Sequence, residues 1–160
     1  MMHPYDRWGF SQMTKEQDDL YWNYAVARFS AFANVWWSLA NEYDLMPHKA
    51  IQDWERYASI LCEKDPYHHM RSIHNCVSLY DFSRPWITHC SVQRTDLYKS
   101  SEITNELRER YHKLLCLTKL LMRVIYSMDG KSDRRRDASP ILGSSMQGGY
   151  PGHGETYLNK

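Results

Sequence analysis

The run Val35-Trp36-Trp37-Ser38-Leu39-Ala40 constrains the fold more than any other stretch. It is short, continuously apolar and rich in strand-forming residues, the pattern of an interior strand covered on both faces. Such strands belong to parallel sheets, and parallel neighbours need long crossovers between them. The run stops at Asn41-Glu42-Tyr43-Asp44, so polar and ionisable groups gather where the strand meets its following loop.

The rest of the chain repeats this alternation. Met1 to Asp6 reads as a strand end entering a loop, with Pro4 stopping regular structure. Thr14 and Gln17 have capping-box spacing. The helix after them places Leu20, Tyr21, Tyr24, Ala25, Phe29 and Phe32 at three- and four-residue intervals, which predicts a broad buried face. A second amphipathic helix carries Ile51, Trp54, Tyr57, Ala58 and Leu61 on one side. Further strands are expected at Arg71 to His74, Trp86 to Cys90 and Leu114 to Leu117, with a helix over Ser101 to Tyr111. Alternating strands and helices predict α/β architecture with a parallel sheet. No glycine-rich phosphate loop follows any strand, which favours a (β/α)8 barrel over a doubly wound sheet.

Composition excludes several functions. Among 160 residues the net charge is +1, which argues against a nucleic-acid or anionic-membrane partner. No apolar run reaches the roughly 20 residues of a membrane span. Met1 to Phe10 has no secretory signal, which gives a cytoplasmic expectation. Cys62, Cys76, Cys90 and Cys116 are widely spaced, as suits reduced thiols. His68, His69, His74, His89, His112 and His153 lack metal-site spacing, so no metal and no cofactor are expected. The 14% aromatic content fits either a dense core or a cleft whose rings stack on sugars. A Cys-His nucleophilic pair at Cys76 or Cys90 has no supporting motif.

The stretches His3 to Phe10, Asn34 to Asp44, Ser72 to Asn75 and Gly148 to Tyr157 together carry a resemblance. The chain resembles clan A-type retaining (β/α)8-barrel glycoside hydrolases. The likeness is to an uncharacterised bacterial group related to apiosidase-like and cellulase-like glycosidases. It covers residues 1–113 and resumes at 147. It implies an incomplete TIM barrel of approximately strands 3 to 7, with 1–113 as partial barrel and 147–160 as its return. A carbohydrate substrate is implied, and missing strands would leave exposed barrel edges open to self-association.

The resemblance further implies that Glu42 is the general acid/base and that Asn41 binds the sugar 2-hydroxyl. His3, Asp6, His74, Asn75, His89 and Gln93 would line the cleft, although His74 and His89 also suit a structural role. Glu155 is a further family-like carboxylate, a substrate-binding candidate rather than a nucleophile.

A retaining glycosidase needs a second carboxylate about 5–5.5 Å from the acid/base. The family carries it in an Ile-Asp-Glu pattern followed by Tyr-Glu-Gly-Asn. Here the matching stretch, Leu117 to Ile125, holds no carboxylate. Codons for that stretch can be chosen so that a one-base shift reads Ile-Asp-Glu-Ala-Ala-Tyr-Glu-Gly-Asn. The segment 114–146 is therefore expected to be anomalous, a frameshifted or disordered passage, and the chain inactive alone.

Overall fold

The computed structural model describes residues 2–93, 101–117 and 149–151. It separates into two compact units, Met1–Thr88 and His89–Lys160.

In the first unit, α1 (Lys15–Phe29) starts at the capping box read from sequence: the Gln17 amide donates to Thr14 Oγ1 at 3.4 Å, and the Thr14 amide to Gln17 Oε1 at 2.9 Å. After α1 come β1 (Trp37–Ser38), α2 (Ile51–Lys64) and β2 (Arg71–Ser72). β1 and β2 are parallel, with Trp37 opposite Arg71 and Ser38 opposite Ser72. Their pairing extends past the strand ends, where the His74 amide donates to the Ala40 carbonyl at 3.1 Å. On the other side of β1, Met2 forms a parallel bridge with Ala40; its amide donates to Leu39 O at 3.1 Å and its carbonyl accepts from Asn41 N at 2.8 Å. Beyond β2, the Thr88 amide donates to Arg71 O at 3.0 Å. Chain segments thus lie side by side in the order in which they occur in sequence.

Two helices cover this ladder. On α2 the buried residues are Trp54, Tyr57, Ala58 and Leu61, the expected face, while Ile51 at its first turn is exposed. On α1 the buried face differs from expectation. Asp18, Trp22, Ala25 and Val26 are buried, whereas Leu20, Tyr24, Phe29 and Phe32 are exposed and Tyr21 is half-buried. Apolar residues lie on more than one side of α1, so spacing alone selects no single stripe. The packing with α2 selects it: the Trp22 and Tyr57 rings stack 5.6 Å apart, and Asp18 meets Lys49 at 2.7 Å.

Asp65, just past α2, ties helix to strand. Its carboxylate accepts from Trp37 Nε1 at 2.9 Å, from the Tyr67 amide at 3.2 Å and from the His69 amide at 2.9 Å. Trp37 therefore points to the helix side, and neighbouring Trp36 is exposed, as strand alternation requires. Burial opposes the Asp65 charge, but the bonds from Trp37 and His69 outweigh it and hold the carboxyl below its ordinary range. A depressed pKa gives stability that is present above the unfolded value near 4 and lost as pH falls through the folded one. Asp65→Asn is accordingly expected to cost about 2 kcal/mol at neutral pH and to flatten the acid limb of stability. Urea titrations at several pH values measure both.

In the second unit, β3 (His89–Val92), β4 (Leu114–Leu117) and β5 (Gly149–Pro151) form a parallel sheet in that order. The helix α3 (Ser101–Tyr111) connects β3 to β4. β3 begins three residues later than the expected start at Trp86. Trp86 and Ile87 are buried all the same, held before the strand by Arg71 Nε on the Trp86 carbonyl at 3.0 Å and by Trp86 Nε1 on Glu55 at 3.1 Å. Leu114–Leu117 is a strand as read, so the first four residues of the segment expected to be anomalous are ordered in a sheet. The rest of the stretch Leu117 to Ile125, the basic run at 131–137, His153 and Glu155 lie outside the described residues.

Candidate active site

The first unit brings together Asn41, Glu42, His74 and Asn75 at the same end of its ladder. Each follows the C-terminal end of a parallel strand, and cross-ladder bonds link the two loops: the Tyr43 amide donates to His74 O at 3.0 Å, next to the His74-to-Ala40 bond. Glu42, His74 and Asn75 are buried, at 5%, 4% and 0% exposure. A carboxyl, an imidazole and an amide so deep are costly to bury unless they are hydrogen-bonded or paired.

Glu42 also has an unusual backbone. Its φ of 56° and ψ of 55° place it in the left-handed region, which a β-carbon disfavours. A one-turn 3-10 helix, Tyr43–Leu45, begins immediately after it, and the Leu45 amide donates to the Glu42 carbonyl at 3.0 Å. The chain thus turns sharply at the end of β1 and carries the carboxyl with it. Strain of this kind costs about 1–3 kcal/mol and collects at functional positions.

Two supports for this turn carry no signal in the one-dimensional pattern. Asp44 reaches across to the loop after β2, where it accepts the amides of Cys76, Val77 and Ser78, each at 2.7 Å. Burial opposes its charge, yet these three amides hold the carboxyl below its ordinary value. Tyr43 packs edge-on against Tyr80 at 5.1 Å, and the Tyr80 hydroxyl donates to Glu55 of α2 at 2.6 Å. The loops that hold Glu42 and Asn75 are therefore fixed to each other and to a helix.

His3 and Asp6 lie on the loop that Met2 brings alongside Ala40, and both are half-buried. Asp6 accepts from the Trp8 amide at 2.8 Å and the Ser11 amide at 3.1 Å. Partial desolvation opposes its charge, but these amides keep the carboxyl low. Its oxygens shape their own loop. Tyr5, between them, was not singled out by sequence; hydrogen bonding to Glu42, then desolvation, push its pKa up to about 12.

His89 and Gln93 belong to the second unit, at the start of β3 and just past its end. Burial pushes the His89 pKa down to about 4, so its ring is neutral at pH 7. Burial raises the Cys90 and Cys116 thiols to about 11, which suits inert core residues. None of the four cysteines is in a disulfide. Among the described residues no His, Cys, Asp or Glu cluster could hold a metal ion, and no helix is long and apolar enough to cross a membrane.

Aromatic residues serve two places. Trp22, Trp54 and Tyr57 fill the core. Trp8, Phe10, Tyr21 and Tyr24, with Leu20, line an open groove of about 580 Å³ on α1 and the turn before it, apart from the Glu42 constellation.

No family model matches the chain, and no curated protein matches it. A solved structure from Bacteroides vulgatus, described as a "putative glycoside hydrolase", is similar to it with a TM-score of 0.85 and 34% sequence identity. The likeness covers 99% of this chain and 32% of that one, so the chain spans about a third of that protein's length.

Proposed function

We propose that this chain is a piece of a retaining glycoside hydrolase of the (β/α)8-barrel class, and that Glu42 is its general acid/base. The single observation that carries the reading is Glu42 itself: a carboxyl buried to 5% exposure, on a left-handed backbone at the end of a parallel strand, beside buried His74 and Asn75. The likeness to the Bacteroides vulgatus protein supports the same reading. So does the side-by-side order of successive parallel segments, which suits a barrel wall.

In the proposed reaction a carboxylate nucleophile attacks the anomeric carbon while Glu42 gives its proton to the departing glycosidic oxygen. The glycosyl group is then bonded to the nucleophile, and Glu42 is a carboxylate. It next takes a proton from the attacking water, whose oxygen displaces the nucleophile and restores both groups. Asn41 would hold the 2-hydroxyl, and His3, His74 and Asn75 would shape the cleft.

A second reading, a non-catalytic sugar-binding or self-associating fragment, is favoured by the aspartates on the described loops at this end of the ladder. Asp6 and Asp44 both spend their oxygens on backbone amides, so neither is free to act as nucleophile. The expected outcome for the chain as it stands is therefore sugar binding that perturbs the Asn41 and His74 amides in NMR titration, with no release of phenol from aryl glycosides. Turnover that disappears in Glu42→Gln would mean that the centre is complete. Neither binding nor turnover across a panel of hexosides and pentosides would remove the glycosidase reading.

A further inference from the structure

We propose that Asp44 is the positioning residue for Asn75: its carboxylate fills an anion-binding nest of backbone amides in the loop after β2, and so fixes where Asn75 lies relative to Glu42. The purpose of this contact rests on the glycosidase reading of the site, while the contact itself rests on three hydrogen bonds.

Asn75 is bracketed by contacts from two adjacent residues. On one side the Tyr43 amide donates to the His74 carbonyl at 3.0 Å. On the other, the Cys76 amide donates to Asp44 Oδ1, and the Val77 and Ser78 amides donate to Asp44 Oδ2, each at 2.7 Å. Tyr43 and Asp44 lie in the 3-10 turn that begins immediately after the left-handed backbone of Glu42. The turn that follows Glu42 therefore grips the other loop both before and after Asn75. Burial does little to hold that loop further on. Asn75 is 0% exposed, but Val77 is 75% exposed and Ser78 is exposed as well, and full burial resumes at Tyr80.

Three successive amides turned toward one group form a concavity that suits an anion. A carboxylate fits it because both oxygens accept and neither donates. A carboxamide of the same size presents its NH2 group to at least one of the three N–H donors. Desolvation opposes the Asp44 charge, but the bonds from Ser78, Cys76 and Val77 outweigh it and hold the carboxyl below its ordinary value, so the nest is filled by an anion at neutral pH. Bonds assisted by charge in this way are stronger than neutral ones. An amide that meets a sugar beside the Glu42 carboxyl needs a fixed separation from it, and the Asp44 clasp sets that separation.

The test is 15N NMR of the chain in Asp44→Ala, with and without formate, the Asn75 side-chain signals being assigned with Asn75→Asp. Removing the carboxylate is expected to speed hydrogen exchange of the Cys76, Val77 and Ser78 amides about 10- to 100-fold and to shift the Asn75 NH2 signals. Formate, which together with the alanine methyl rebuilds the atoms of the aspartate, is expected to return both toward their parent values. In Asp44→Asn the Asn75 signals should shift too, and formate should not restore them, because the carboxamide occupies the nest. Should Asp44→Ala fail to fold, Asp44→Asn decides, and Asn75 signals that stay in place there would overturn the proposal. So would a folded Asp44→Ala in which they stay in place or formate leaves their shift uncorrected. No sugar enters these spectra. A chain that binds no carbohydrate would remove the glycosidase reading and leave the Asp44 contact standing, and an unmoved Asn75 would do the reverse.

Discussion

Asp18→Ala is expected to destabilise the first unit by about 3–5 kcal/mol, the largest stability effect of any single substitution considered. Asp18 and Lys49 are both almost fully buried, with side chains 2% and 3% exposed and 2.7 Å apart. Removing the carboxylate leaves the ammonium desolvated with only the Met13 carbonyl, at 2.9 Å, to receive it. The Tyr57 hydroxyl, which bonds the same Asp18 oxygen, loses its acceptor too, and Arg56 loses a neighbour at 3.5 Å. Deleting both charges together is expected to cost much less, because a buried pair gains little over apolar residues of its size. Urea unfolding of Asp18→Ala, Lys49→Met and Asp18→Leu/Lys49→Met measures the difference. A double variant as unstable as Asp18→Ala would mean that the pair acts through shape and not through charge.

The second large effect concerns Glu42. The coding DNA of this locus, resequenced through codons 110–150, is expected to restore an Asp-Glu carboxylate in the alternative frame across Leu117 to Ile125. The protein translated from that DNA should hydrolyse aryl glycosides, and Glu42→Gln should lower its turnover by about 10²–10⁴-fold, the usual worth of general acid/base catalysis. The loss in kcat/KM, which reports the first step, should be smaller for a leaving group as acidic as dinitrophenol, which departs without a proton. An equal loss for acidic and basic leaving groups would assign Glu42 to binding or folding instead.

Much of this arrangement was legible in the sequence because it depends on local chemistry. The Thr14–Gln17 capping box, the buried face of α2 and the strand before Asn41-Glu42 each follow from a few adjacent residues. The expectations that missed were those decided by distant partners. The inward side of α1 was set by Tyr57 and Lys49 on later elements, and apolar spacing pointed instead to Leu20 and Tyr24. β3 starts late because Arg71 and Glu55 claim Trp86 before the strand can begin. Within the site, Asn41, Glu42, His74 and Asn75 could be named from strand ends. Asp44 could not, since its partners lie more than thirty residues away and no spacing rule joins them.

These supports explain why the Asn-Glu pair is more than a dipeptide. Asp44 fixes the loop that carries Asn75, and Tyr43 leans on Tyr80, whose hydroxyl is held by Glu55. Groups held from several elements keep their geometry, which the acid/base role proposed for Glu42 would require of them.

Azide rescue of Glu42→Ala, in the protein translated from the resequenced locus, tests the assignment of Glu42 most directly. With a dinitrophenyl glycoside the first step needs no acid, and azide attacks the glycosyl-enzyme without a general base, so its nitrogen bonds the anomeric carbon as the nucleophile carboxylate leaves. The expected result is recovered turnover and a glycosyl azide with the anomeric configuration of the substrate. A Glu42→Ala protein as active as the parent, or one that azide leaves inactive while it still folds and binds sugar, would contradict the role given to Glu42.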